Sequence, residues 1–131
     1  MSKRPNLAVL TLLVVTVLTS GCIAAAGAAA GAAGAVAYSD RGARSEVTVP
    51  LDDLVRAVEA TFSAMDIAIT ERSRKEDGSE THLKGKNGNM EVNVDINRDQ
   101  TTKIQVIARR NLVDYDRDYA RDVLKKILER N

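Results

Sequence analysis

The chain has 131 residues, a formal net charge of +1 and one cysteine. This length suits a single small domain, and the balanced charge lacks the clustered basic excess that nucleic-acid binding requires. A lone cysteine can form no disulfide within the chain. These features exclude a multidomain protein, a nucleic-acid-binding protein and a disulfide-stabilised scaffold.

The N-terminal segment has the three parts of a secretory signal peptide. A Lys-Arg head at residues 3–4 precedes an apolar run over residues 7–18, and the small residues Ser and Gly at 20–21 stand directly before Cys22. This arrangement is similar to a bacterial lipoprotein cleavage site, or lipobox. The cysteine sulfur there receives a diacylglyceryl group before cleavage. The segment therefore predicts a signal peptide over residues 1–21 and lipidation of Cys22.

The lipobox departs from the usual pattern at one position. Thr19 stands where leucine is usual, and Leu18 lies one residue earlier. The alternative is an uncleaved membrane helix. The apolar run over residues 7–18 is shorter than the ~20 residues that a spanning helix requires. Because no charged residue follows before Tyr38, a helix that continues through the alanines stays open as an alternative.

Residues 23–37 consist almost entirely of alanine and glycine. A glycine in a helix interior costs about 1 kcal/mol relative to alanine, which favours a tether over residues 22–39. The spacing of Gly27 and Gly31 also suits close packing of two helices in a membrane. We expect a tether, with a membrane-packing helix as the alternative.

The expected partners follow from the processed chain. Without residues 1–21, which hold two of the 19 basic side chains, 17 basic and 18 acidic side chains remain. Two or more acyl chains, such as palmitate, give stable anchoring where one does not. We therefore expect a membrane partner through the lipid anchor and an envelope protein partner, but no nucleic acid.

The sequence predicts one small domain over residues 40–131, which begins with a strand followed by a helix. Val47 and Val49 alternate with polar residues up to Pro50, which indicates the strand. Apolar side chains then recur at three- and four-residue spacing over residues 51–65, which indicates the helix. The apolar side chains that share a face of this helix are Leu51, Leu54, Val55, Val58, Phe62 and Met65.

Four further strands are predicted after this helix. They are marked by Ile67 and Ile69, by residues 81–86, by residues 90–97, and by Ile104, Val106 and Ala108. The strand over residues 90–97 is the clearest, because its apolar and polar residues alternate throughout. The sequences Asp77-Gly78 and Asn87-Gly88 tolerate positive φ and predict tight turns between strands.

A terminal helix is predicted near residues 119–128. Its start is rich in carboxylates and its end in basic side chains, as the helix dipole favours. These are Asp114, Asp116 and Asp118, then Lys125, Lys126 and Arg130. The order β-α-β-β-β-β-α therefore predicts an α+β fold, with a mostly antiparallel sheet of about five strands and two helices packed on one face.

Several segments together resemble a family of small uncharacterised bacterial lipoproteins. They are the lipobox, the Ala/Gly tract ending at Tyr38, Val-Pro-Leu-Asp at 49–52, the two Gly-containing turns, and Ala-Arg-Asp-Val-Leu-Lys-Lys-Ile at 120–127. This resemblance implies the architecture and a cell-envelope location, but no catalytic residue. Ile23 after the lipidated cysteine is similar to the pattern of lipoproteins sorted to the outer membrane, so we expect that location, facing the periplasm.

His82 is the only histidine. A catalytic histidine needs a nucleophile and an orienting carboxylate nearby, and a metal site needs further ligands. The sequence identifies neither, so we expect a solvent-facing structural side chain.

Two carboxylate runs have the spacing that begins a calcium loop. Asp114, Asp116 and Asp118 are followed by Tyr119 and Lys125 where the loop requires glycine and glutamate. Capping of the terminal helix is the better interpretation. The second run is Asp95, Asn97 and Asp99, which we assign to a strand face and a turn. The polar face of that strand, formed by Glu91, Asn93, Asp95 and Asn97, is expected to serve solubility, with a binding surface as the alternative.

These patterns predict a membrane-anchored envelope lipoprotein whose domain is a non-catalytic binding or structural module. No enzyme activity, cofactor or metal is expected. Two alternatives stay open: a membrane-embedded assembly protein that packs through the Ala/Gly segment, and a small envelope enzyme or ligand binder.

Overall fold

The computed structural model describes residues 35–131. Its elements, in chain order, are β1 (Ala37–Tyr38), β2 (Gly42–Val47), α1 (Leu51–Ala64), β3 (Ala68–Arg74), β4 (Glu80–Asn87), β5 (Met90–Arg98), β6 (Thr102–Arg109) and α2 (Arg117–Leu128). Within this range, neither helix has the length and apolar character needed to cross a membrane.

All six strands form one antiparallel sheet in the order β1-β2-β6-β5-β4-β3. The predicted α+β class is confirmed, and the sheet has one strand more than the expected five. The additional strand, β1, has two residues and is too short to show alternation. It lies within the segment assigned to the tether.

The strand predicted around Val47 and Val49 begins earlier and ends earlier than expected. It is β2, which starts at Gly42 and stops at Val47. Its inward positions include the small residues Ala43 and Ser45, and small side chains give a weak apolar signal. The alternating valines therefore indicate a strand that is placed too far toward the C-terminus.

Both helices cover the same face of the sheet, as predicted. Helix α2 contacts β2, β6 and α1, and α1 contacts β5. The strand residues on this face are almost completely buried. Along each strand they alternate with residues of the opposite face, which are exposed or half-buried. The buried strand residues include Ala43, Val47, Leu83, Val92, Val94, Ile96, Ile104, Val106 and Ala108. The opposite face is open to solvent.

Helix α1 approaches β4 closely on the covered face. Phe62 is fully buried. A Cβ atom at Gly85 would stand 2.8 Å from Cε2 of Phe62 and 2.4 Å from Cγ2 of Ile67. Glycine is thus required in this strand, because any side chain would occupy the space of the phenyl ring.

The hairpin between β4 and β5 is confirmed, but its turn is shifted by one residue. Asn87 pairs with Met90, which leaves Gly88 and Asn89 as the two loop residues. Gly88 has φ +58°, and Asn89 is not in the positive-φ region. Positive φ at the first loop residue alone is the type II′ pattern, whereas the Asn-Gly signal suggests glycine at the second.

Strand β3 also differs from its prediction. Ile67 is buried but precedes the strand, and Ile69 is 41% exposed. Every residue of β3 is exposed, because β3 forms one edge of the sheet. An edge strand has a neighbour on one side only, so its apolar side chains receive less cover.

Candidate functional site

The open face of the sheet carries charged side chains that pair across neighbouring strands. Lys84 Nζ lies 2.9 Å from Oε2 of Glu71, and Arg109 Nε donates to Oε1 of Glu91 at 2.9 Å. Each pair joins residues that stand directly opposite in the sheet register. The Lys84–Glu71 pair is the more exposed of the two, and exposed ion pairs contribute little to stability. The Arg109–Glu91 pair is half-buried.

The polar residues of β5 lie on this open face, as predicted, and contact neighbouring side chains. Asn97 Nδ2 donates to Oε1 of Glu80 at 2.8 Å, and Asn93 Nδ2 donates to Oε1 of Glu91 at 3.3 Å. Asp99 follows the strand in the turn before β6. The second calcium-like run is therefore divided between a strand face and a turn.

His82 stands beside a carboxylate that the sequence analysis did not find. Its Nδ1 atom forms a hydrogen bond with Oδ1 of Asp95. Ser73 stands opposite His82 on β3, so a serine, a histidine and an aspartate form one row across three strands. The sequence identified no carboxylate for His82, and the structure supplies one. The pairing of β4 with β5 joins residues thirteen positions apart, which sequence proximity does not reveal.

This row contains the three residue types of a Ser-His-Asp catalytic triad, but it lies in an unsuitable place for one. The His82 side chain is 28% exposed and that of Asp95 is 51% exposed. Within residues 35–131, no hydrogen bond joins the Ser73 hydroxyl to the imidazole. Triads act through preorganised donors in a site that excludes water. On this solvent-exposed sheet face, the hydrogen bond with Asp95 fixes the orientation of the His82 ring.

The three carboxylates of the first calcium-like run have separate partners. Asp116 accepts a hydrogen bond from the amide three residues later at 2.9 Å, which confirms the predicted cap of α2. Arg110 contacts both Asp114 and Asp116, at 3.7 and 2.7 Å. Asp118 accepts from the Tyr38 hydroxyl at 2.8 Å. In the part of the chain that the structure describes, no group of three or more acidic, histidine or cysteine residues could hold a metal ion.

The loop between β6 and α2, residues 110–116, exposes two aliphatic side chains. Leu112 is 79% exposed and Val113 is 84% exposed. The Asn111 side chain accepts from the amides of Val113 and Asp114 at 3.0 and 2.9 Å. The Arg110 amide donates to the Asp114 carbonyl at 3.0 Å. The loop is thus folded around its own polar groups, with its apolar pair outward. Its signal in the sequence, two apolar residues outside any period, was overlooked.

Aromatic and arginine side chains lie beside this loop. The guanidinium carbons of Arg117 and Arg121 lie 5.7 and 5.2 Å from the centroid of the Tyr38 ring. The guanidinium carbon of Arg41 lies 5.5 Å from the centroid of the Tyr115 ring. These distances suit cation–π contacts. The hydrogen bond to Asp118 raises the pKa of Tyr38. Sequence reasoning missed this cluster because it placed Tyr38 in the tether.

Comparison with known protein families shows which family the chain belongs to. The family described as "Protein of unknown function (DUF3568)" matches residues 6–130. The chain belongs to this family. The DUF3568 match covers the N-terminal apolar segment as well as the domain, and the expected membership of an uncharacterised family is confirmed. No curated protein matches the chain at a significant level. Cys22, the predicted lipidation site, lies outside the described residues.

We expect Glu91 to contribute stability that disappears in acid. Hydrogen bonds from Arg109 hold the pKa of Glu91 below its ordinary value of 4.5. A lowered folded-state pKa means that this contribution is complete above the unfolded-state pKa and is lost as pH falls through the folded-state value. Glu91→Gln should therefore melt below wild type near neutral pH and approach it as pH falls through the folded-state pKa of Glu91.

Thermal melts across this pH range would measure the difference. Glu76→Gln is the matched control, since Glu76 is an exposed acid in the turn between β3 and β4. It should show a small difference at every pH. A Glu91→Gln difference that stayed constant with pH would contradict the prediction.

Proposed function

We propose that this DUF3568 protein is a lipoprotein of the bacterial cell envelope, anchored through lipid on Cys22, whose domain is a non-catalytic binding or structural module. One observation carries the anchor: the only cysteine directly follows a basic, an apolar and a small-residue segment. Ile23 supports placement in the outer membrane, facing the periplasm. The membrane and an envelope component are the proposed partners.

Features of the domain support a non-catalytic role. The space between helices and sheet is filled by side chains such as Phe62, Leu83 and Leu124, which are fully buried. The charged groups of the open face are largely paired, and the row at His82 is exposed to solvent. Hydrolysis of an ester or peptide substrate that was lost in His82→Ala would contradict this part of the proposal.

We expect Cys22→Ala to abolish processing and stable membrane attachment, because the diacylglyceryl group is joined to the cysteine sulfur. Mass spectrometry of the N-terminal peptide and membrane fractionation would measure both effects. Thr19→Leu is the matched control, since it introduces the usual leucine and should be processed at least as well as wild type.

Three outcomes would separate the alternatives. A Cys22→Ala protein with unchanged mobility and membrane fraction would overturn the lipid anchor. An intact N-terminus in the wild-type membrane protein would favour the membrane-embedded alternative. Migration with the inner membrane on a density gradient would contradict the outer-membrane assignment and leave the lipid anchor in place.

A further inference from the structure

The β6–α2 loop presents an apolar tip that no described part of the domain covers. Leu112 and Val113 are adjacent and have the highest exposure of the large hydrophobic side chains in residues 35–131. Single exposed apolar residues are common on protein surfaces and need no explanation. An adjacent pair at the tip of a folded loop is a candidate for contact with an apolar partner.

The exposure is a consequence of the loop's internal hydrogen bonds. The Asn111 side chain accepts from two amides within the loop, at 3.0 and 2.9 Å. The amide of Asp116 donates to the Ala108 carbonyl at 2.8 Å, which closes the base of the loop. With these polar groups satisfied inside, the aliphatic side chains are held in the outward position.

The side chains around the tip suit a membrane–water interface. Tyr38 and Tyr115 each have arginine guanidinium groups against the ring. Tyrosine and arginine combine an apolar body with a polar end, and such side chains are favoured where lipid meets water. The nearby carboxylate of Asp116 is paired with Arg110. This ion pair reduces the repulsion between Asp116 and anionic headgroups.

The chain leading to Cys22 is long enough for the tip to reach the bilayer. Ala35 lies beside Ser45, whose hydroxyl donates to its carbonyl at 3.1 Å. Ser45 pairs with Ile104, and Arg109 is five residues further along β6, a distance of about 17 Å. The thirteen residues from Cys22 to Ala35 span up to about 45 Å when extended. The tether therefore permits contact between the loop and the anchoring membrane.

We infer that Leu112 and Val113 insert into the surface of the bilayer and form a second, reversible membrane contact. This inference rests on the proposed lipid anchor, because a tether raises the effective concentration of the surface and makes a weak contact sufficient. The occupant of the tip is phospholipid. The contact holds the loop end of the sheet toward the membrane.

The absence of tryptophan from the sequence makes a direct test available. Leu112→Trp places a single fluorophore at the tip. Gln100→Trp places one in the exposed turn between β5 and β6, at the opposite end of the sheet. The full lipidated chain is reconstituted in phosphatidylethanolamine–phosphatidylglycerol vesicles, with and without brominated acyl chains. The emission of Trp at 112 should shift to shorter wavelength and be quenched by bromine, whereas Trp at 100 should change in neither respect.

The outcomes distinguish this inference from the proposed function. Lipid on Cys22 in the mass spectrum together with unquenched emission at 112 would overturn the membrane contact and leave the anchor intact. Shielding at 112 in native envelopes, but not in pure lipid vesicles, would identify a protein partner and also overturn it. Quenching at 112 without lipid on Cys22 would support the loop contact and overturn the anchor. Equal quenching at both positions would show that tryptophan itself drives insertion, which contradicts a role specific to the loop.

Discussion

Phe62→Ala is expected to lower the free energy of unfolding by about 3–5 kcal/mol. Phe62 is the largest of the fully buried side chains in the described domain. Its removal leaves a cavity between α1 and β4 that the rigid sheet is unable to close. For a domain of this size, each kcal/mol lowers Tm by roughly 4–8 °C. The variant should therefore melt at least ten or so degrees below wild type.

Circular dichroism of the full chain during heating would measure this change. Ser63→Ala is the matched control, because Ser63 is exposed at the next position of the same helix. Its stability should stay within about 0.5 kcal/mol of wild type. A shift of only a degree or two for Phe62→Ala would show that the ring is not buried in solution.

Gly85→Ala is expected to destabilise the domain by about 1–3 kcal/mol, through overpacking. The new Cβ would stand 2.4 Å from Cγ2 of Ile67 and 2.8 Å from Cε2 of Phe62. Both atoms belong to buried side chains that have little room to move. Thermal melts of Lys86→Ala, at an exposed neighbouring position on the same strand, would separate this effect from the general effect of placing alanine in β4.

A double-mutant cycle makes this prediction more specific. Phe62→Leu removes ring atoms from the space that the new Cβ would occupy. Combined with Gly85→Ala, it should therefore cost less than the sum of the two single changes. Strict additivity would mean that Phe62 and Gly85 are not in contact. The Cγ2 atom of Ile67, 2.4 Å from the added Cβ, would then be the contact that requires glycine in β4.

The sequence alone was sufficient to predict the elements that have a strong period. Helix α1 follows from the three- and four-residue spacing that includes Leu54, Val58 and Phe62, and β5 follows from strict alternation. A carboxylate cap of α2 from the run Asp114, Asp116 and Asp118 was predicted from residue type and position, and the structure assigns it to Asp116. These are local properties, because a helix or strand with one apolar face must bury that face against another layer. The α+β class followed from the order of such elements.

The turns and edges of the sheet depended on register and were predicted less well. Asn87-Gly88 indicated the hairpin, but pairing of Asn87 with Met90 moved the turn by one residue. β1 was missed because two residues show no period. The signal before Cys22 remains a prediction, since it lies outside the described residues.

The tertiary structure alone decided which side chains of the candidate sites meet. Asp95 reaches His82 through strand pairing, and Tyr38 reaches Arg121 through the position of β1 beside α2. Likewise, the exposure of Leu112 depends on hydrogen bonds within its loop and on the absence of a neighbouring layer in the described domain. Composition and periodicity determine which residues seek burial. Contacts between distant residues are set by sheet register and helix packing, which local sequence does not encode.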